Sequence, residues 1–247
     1  MFVLKSLATL VATALIAPWQ MVLKLKDNDY LNSAPNTIIT PEFSRFVEKV
    51  RREGKVPGVS VGVVLPDGRA ECGAWGNKTE DGDEMTIDTS YILASVSKAF
   101  LSSSMGILMD DFANGRNITS LPDGVHSFDW FTKIADLLPH DWELDNKWAT
   151  EMANIRDVLS HVSGLPRHDY SYWRDDSLLQ VVCRMRHLRS SFELRQQWSY
   201  NNQMYMLGSY IISKYAGMTY PRFAMERMFH RLNMTSTMFS ESEASKD

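Results

Sequence analysis

The run from Val59 to Leu65 is apolar except at Ser60 and Gly62, and Pro66-Asp67-Gly68 separates it from a second run, Arg69 to Gly76. Two strand-like runs joined by a turn of this composition read as a β-hairpin. A strand apolar on both faces expects cover on both, which calls for helices layered on a sheet and contradicts a plain helix bundle. The flanks agree. Pro41 after Thr40, with Phe43, Phe46, Val47 and Val50 at helical spacing, predicts an amphipathic helix that Val56-Pro57-Gly58 breaks. Beyond the hairpin the periodicity turns helical. Residues 111–153 are loop-rich, with short helices expected near Phe131–Leu138. Asn154 caps a helix whose third residue is Asp157 and which is expected to end near Gly164. The arginine-rich stretch from Tyr170 to Arg195 is expected to hold one or two helices. Met204, Leu207, Ile211 and Tyr215 form a stripe that stops at Gly217, and Thr219-Tyr220-Pro221 opens a last helix with Met225, Met228, Phe229 and Leu232 inward.

The chain has 247 residues, 44% of them hydrophobic, enough for one sizeable core or a two-lobed domain. A net charge of −4 without basic runs argues against nucleic acid and against a polybasic membrane patch. Lys5 precedes an apolar stretch from Leu7 to Ala17 that Pro18 interrupts. This reads as a signal peptide within residues 1–25, with Ala12-Thr13-Ala14 as one small-x-small cleavage site; the alternative is an uncleaved anchor extending through Met21-Val22-Leu23. Only the anchor would make a membrane a partner. The sequons at Asn77, Asn117 and Asn233 agree with a secreted, extracellular glycoprotein. Cys72 and Cys183 admit either one disulfide or two separate thiols, and neither lies in an arrangement suited to a cysteine nucleophile.

Two short motifs carry chemistry. Ser95-Val96-Ser97-Lys98 stands at a helix start and places serine and lysine one turn apart on the same face. A neutral lysine there can take the serine's proton and turn a weak nucleophile into an acylating one. Tyr200-Asn201-Asn202 could add a proton shuttle and an amide to orient a substrate. A bland reading exists for each half: a serine capping a helix, an asparagine capping another, a tyrosine packing. Gly58-Val59-Ser60-Val61-Gly62 matches G-x-S-x-G, but that motif needs a strand, a sharp turn and a helix, and Ser60 lies inside the apolar run. Zinc, phosphate-loop and dinucleotide motifs do not occur, so neither metal nor cofactor is expected.

Three segments in order then resemble a known family: Ser90-Tyr-Ile-Leu-Ala-Ser-Val-Ser-Lys98 after Thr86-Ile-Asp-Thr89, Ile155-Arg-Asp-Val-Leu-Ser-His-Val-Ser-Gly-Leu-Pro166, and Trp198-Ser-Tyr-Asn-Asn-Gln-Met-Tyr-Met-Leu-Gly208. They resemble the serine β-lactamases and penicillin-binding D,D-peptidases, in the branch near class C enzymes and their esterase and peptidase relatives. The run from Trp148 to Asp169 is most similar to secreted fungal members, and the resemblance covers roughly residues 40 to 240. It implies an α/β (α+β) fold, an antiparallel sheet flanked by helices plus an all-helical lobe, spanning residues 26–247 with Ser95 at the boundary. It implies Ser95 as nucleophile, Lys98 as general base, Tyr200 as proton relay to the leaving group and Asn202 as donor to a substrate carbonyl, with lysine or tyrosine as the true base left open. His161 is read as a helix-end hydrogen-bond partner, His168 as structural and Trp198 as packing. The implied substrate is an amide or ester: a β-lactam-like ring, a D-amino-acid peptide or a small ester. The family's third motif, Lys or His, a small residue and Gly, does not follow Asn202; Tyr215-Ala216-Gly217 ends a helix instead. The expectation is therefore a C-terminally truncated member lacking its closing strands, poorly stable and nearly inactive. A non-catalytic binding or scaffolding protein is the alternative.

Overall fold

The computed structural model describes residues 37–239, which fall into two compact units dividing after Ser90. The leader segment expected in residues 1–25 lies outside the described residues. Among the described residues no helix is long and apolar enough to cross a membrane.

The first unit begins with helix α1, Pro41–Glu53. The Thr40 hydroxyl accepts the Phe43 N–H at 3.1 Å, and proline occupies the first turn, where its missing N–H costs nothing. Strands β1, Gly58–Val64, and β2, Ala70–Gly76, pair antiparallel from Gly58↔Gly76 to Val64↔Ala70. The Leu65 N–H donates to the Arg69 carbonyl at 2.8 Å and closes the hairpin. Ser60 lies within β1, as its place in an unbroken apolar run requires. Two expectations are corrected. No residue of β1 is buried, and Val64 is 78% exposed, because this is a two-stranded sheet. In α1 only Val47 is buried, while Phe46 and Val50 are exposed.

The second unit is helical and holds the core. A 3₁₀ turn, Ala94–Val96, leads into α2, Ser97–Ala113. Three short helices follow: α3, Ile134–Leu137; α4, Lys147–Met152; and α5, Ile155–Leu159. Helix α6, Leu178–Arg184, continues into a 3₁₀ turn, Met185–His187. Helix α7, Gln203–Ala216, is packed against α2, α5 and α6. The last helix, α8, Tyr220–Ala224, has Thr219 as N-cap and ends in a π turn, Met225–Phe229.

Met204, Leu207, Ile211 and Tyr215 of α7 are all buried, as their period of 3.6 residues predicts. Gly208 decides how close α2 can come, since a Cβ there would meet Leu101 Cδ2 at 2.9 Å and Leu159 Cδ2 at 3.2 Å. Gly217 ends the helix in the left-handed region at φ 62°. Asn154 and Asp157 form the expected reciprocal cap of α5. That helix stops at Leu159, short of Gly164, because His161 turns the chain with φ 63°. Met228 and Phe229 are buried as expected, but Leu232 is 64% exposed, since the π turn rotates the chain off the helical stripe.

Candidate active site

Every residue of the candidate site belongs to the second unit. Ser95 stands in the 3₁₀ turn ahead of α2, exposed, with its hydroxyl uninvolved in capping. Ala94 before it holds φ 45°, a sparsely populated conformation for a residue with a side chain, and the Ser97 hydroxyl donates to the Ala94 carbonyl. One turn on, half-buried Lys98 directs its ammonium back, donating to Ser95 Oγ at 3.2 Å and to Asn202 Oδ1 at 2.8 Å. The Tyr200 hydroxyl donates to Ser95 Oγ at 2.5 Å. The structure thus brings together all four residues that the motifs single out, Ser95, Lys98, Tyr200 and Asn202.

The start of α7 explains why Asn202 is available. Capping falls to Asn201, which is fully buried: its Oδ1 accepts the Met204 N–H at 3.1 Å, and its Nδ2 donates to the carbonyls of Leu165 at 3.1 Å and Pro166 at 2.8 Å. The Asn201 N–H donates to His161 Nδ1 at 3.1 Å, the helix-end role expected of that histidine. Its ring lies 4.6 Å from that of Tyr200. Burial holds His161 below its ordinary pKa, and the nearby Lys98 charge adds to this, so the ring favours the neutral form that accepts from Asn201. Trp198, expected to pack, is 62% exposed at the rim, with ring contacts to His161 and Tyr200.

Burial raises the Tyr200 phenol, but hydrogen bonding with Lys98 and Ser95 and the charges of Lys98 and Arg167 outweigh it and hold the group below the ordinary tyrosine range. The Lys98 ammonium stands 4.8 Å from the Tyr200 ring centre and the Arg167 guanidinium 5.2 Å from it.

Sequence reasoning assigned no role to Arg167, Asp169 and Tyr172, which complete the surroundings. Asn202 Nδ2 donates to Asp169 Oδ1 at 3.0 Å and to the Tyr172 hydroxyl at 3.4 Å. Asp169 Oδ1 also accepts the Tyr172 hydroxyl at 3.0 Å, and Oδ2 accepts Arg167 Nε at 2.7 Å. Burial raises the Asp169 carboxyl, yet its bonds from Arg167, Asn202 and Tyr172 bring it below its usual value. The available signal was the run of ionisable and aromatic residues just after Pro166, inside the segment that resembles fungal proteins. Cys72 and Cys183 are both free thiols. Among the described residues no group of three or more His, Cys, Asp or Glu is placed to hold a metal ion.

This geometry can be set beside known proteins. The family model described as Beta-lactamase matches residues 43–247. The unguisins hydrolase ungD' of Aspergillus campestris is 29% identical over 209 residues, covering 82% of this chain and 37% of that protein. The unguisins hydrolase ungD of Aspergillus violaceofuscus is 26% identical over 195 residues, covering 76% of this chain and 33% of its own. The chain thus spans about a third of the length of these curated relatives. Among solved structures, the octameric penicillin-binding protein homologue from Pyrococcus abyssi superposes with a TM-score of 0.63 at 22% identity, over 83% of this chain and 46% of that one. The D-amino acid amidase from Ochrobactrum anthropi SV3 gives 0.60 at 23%, over 78% and 52%. A class C beta-lactamase from Rhodobacter sphaeroides gives 0.57 at 22%, over 77% and 48%. At these identities the superpositions speak to fold.

Proposed function

The chain belongs to the beta-lactamase family, whose members are hydrolases, and from that premise we propose that it acts by acyl transfer to Ser95 on an amide or ester substrate. The observation that carries this reading is the position of Ser95 Oγ, 2.5 Å from the Tyr200 hydroxyl and 3.2 Å from Lys98 Nζ, on an exposed turn that a substrate can reach. Nucleophile and base are within transfer distance before any substrate binds.

The site favours Tyr200 as the base. Once Tyr200 has lost its proton, the two cations beside its ring stabilise the phenolate, and its oxygen lies on the line along which the Ser95 proton would travel. In the first half of the cycle Ser95 Oγ bonds to the substrate carbonyl carbon while its proton passes to the Tyr200 phenolate. The resulting oxyanion collapses, the bond to nitrogen or oxygen breaks, and Tyr200 returns the proton to the leaving group. In the second half water attacks the acyl-serine, gives its proton to Tyr200, and Ser95 leaves with a proton restored. Lys98 bridges Ser95 and Asn202. Asn202 has two amide hydrogens, and the one facing the more distant Tyr172 hydroxyl is the donor for a substrate carbonyl. An amide is the first candidate among these substrates, a reading that the D-amino acid amidase among the fold neighbours supports.

Intact-mass spectrometry after exposure to a reactive penicillin and to a fluorophosphonate tests the reading, with Ser95→Ala alongside. The expected result is an adduct on the parent chain that Ser95→Ala abolishes. A chain shown to be folded by near-ultraviolet circular dichroism that takes up neither reagent would overturn it.

A further inference from the structure

Arg167 and Asp169 form an ion pair on a partly exposed loop, with side chains 57% and 31% accessible. Such a pair contributes little to stability in solvent. Its other contacts all converge on the site. Asn202 is held between a group that can only donate, the Lys98 ammonium at 2.8 Å, and a group that only accepts when ionised, the Asp169 carboxylate at 3.0 Å. Lys98 selects the oxygen end of the carboxamide; the carboxylate on the other side fixes its rotation. A flipped amide would set NH₂ against ammonium and oxygen against carboxylate. The second Asp169 oxygen takes Arg167 Nε at 2.7 Å, and the guanidinium so anchored lies 5.2 Å from the Tyr200 ring centre.

We propose that Arg167 and Asp169 are positioning residues for the acylation site: Asp169 clamps the Asn202 carboxamide from the side opposite Lys98, and it holds Arg167 where the guanidinium gives Tyr200 a second cation. The chemical purpose of this arm rests on the acyl-serine reading; its existence rests on the distances. The charged and titratable groups that face Tyr200 are Lys98 from α2, His161 from the turn after α5, and Arg167 with its partner Asp169 from the loop; Tyr205 of α7 lies beneath Lys98, 5.3 Å from its ammonium to the ring centre. Without Arg167, Lys98 is the one full cation left beside the phenol among the described residues. Fixing one donor of Asn202 on Asp169 also confines its remaining donor to one direction, which an untethered amide would not do.

The test uses two readouts. In the first, tyrosines carry ¹³C at Cζ, the Tyr200 resonance is assigned with Tyr200→Phe, and its titration is compared between the parent chain and Arg167→Gln. The Tyr200 midpoint is expected to move up in Arg167→Gln while tyrosines remote from the pair, Tyr215 and Tyr220, stay in place, a response that a merely structural ion pair would not give. In the second, Ser95 phosphonylation by a fluorophosphonate, with loss of fluoride, is timed by intact mass. Asp169→Asn is expected to slow it about tenfold, the scale of one charge-assisted hydrogen bond, and Asp169→Glu to recover part of the rate. If Ser95 is phosphonylated but the Tyr200 midpoint stays in place and Asp169→Asn reacts at the parent rate, the arm is overturned and the acyl-serine reading stands. If Ser95 of the folded chain resists both the fluorophosphonate and the penicillin yet the midpoint moves in Arg167→Gln, the acyl-serine reading falls and the electrostatic arm stands.

Discussion

The two units use similar residues to different ends. The first has a hairpin and a capped helix, yet among its described residues only one apolar side chain, Val47, is buried. The second encloses a continuous core running from Leu101 through Phe128, Ile155, Leu165 and Ile211 to Phe229. All four motif residues belong to the second. Regular secondary structure is therefore a poor guide to where a molecule can hold groups at fixed distances. Lys98 meets Asn202 because α2 and α7 pack closely at Gly208, and hydrogen-bond lengths of this kind persist only where the supporting helices cannot slide.

The contrast is most exposed at Arg195. Its guanidinium holds Asp157, whose side chain is 2% exposed, through bonds of 2.9 and 2.8 Å. Arg195→Met leaves that carboxylate without a countercharge and is expected to cost about 3–5 kcal/mol in urea unfolding followed by tryptophan fluorescence; a loss under about 1 kcal/mol would show that the second unit is looser than its packing implies. Next comes a matched pair of truncations. Leu207→Ala, at a position with no exposure, is expected to cost about 2–5 kcal/mol, whereas Val64→Ala, at 78% exposure, should stay within about 0.5 kcal/mol. Equal losses would mean that β1 is covered in solution and would erase the distinction. The gentlest probe is alkaline pH. Burial pushes Tyr215 and Tyr220 up to about 12, with the Asp141 charge adding to the effect at Tyr215. Because the folded values are raised, the contribution of these phenols is full below their unfolded pKa of about 10 and is lost as the pH rises towards 12. Unfolding curves across that range should therefore weaken progressively, and Tyr220→Phe should flatten the dependence.

Much of the second unit was legible in the sequence. The stripe on α7, the reciprocal cap at Asn154 and Asp157 and the Gly217 stop are local signals, readable because each depends on residues within a few positions of one another. The pairing of Ser95 with Lys98 is local in the same way. Whether β1 is covered depends on distant parts of the chain, and an apolar run cannot declare its own neighbours. The arm at Arg167 and Asp169 was hidden for a related reason: Asp169 reaches Asn202 across 33 positions, on a loop with no periodicity to mark it. Leu232 shows a third limit, since a helical wheel drawn past a π turn is out of phase by the time it arrives.

Asn201 and Asn202 are chemically identical neighbours answering to separate demands. The first is sealed into the frame by four hydrogen bonds that stop the preceding loop and start α7; the second lends that frame only its backbone carbonyl, and its side chain is turned to Lys98 and Asp169. A change at the first position acts on the architecture, while a change of side chain at the second acts on the Ser95 surroundings and leaves the cap in place. Site and scaffold are thus separable by one side chain at adjacent positions.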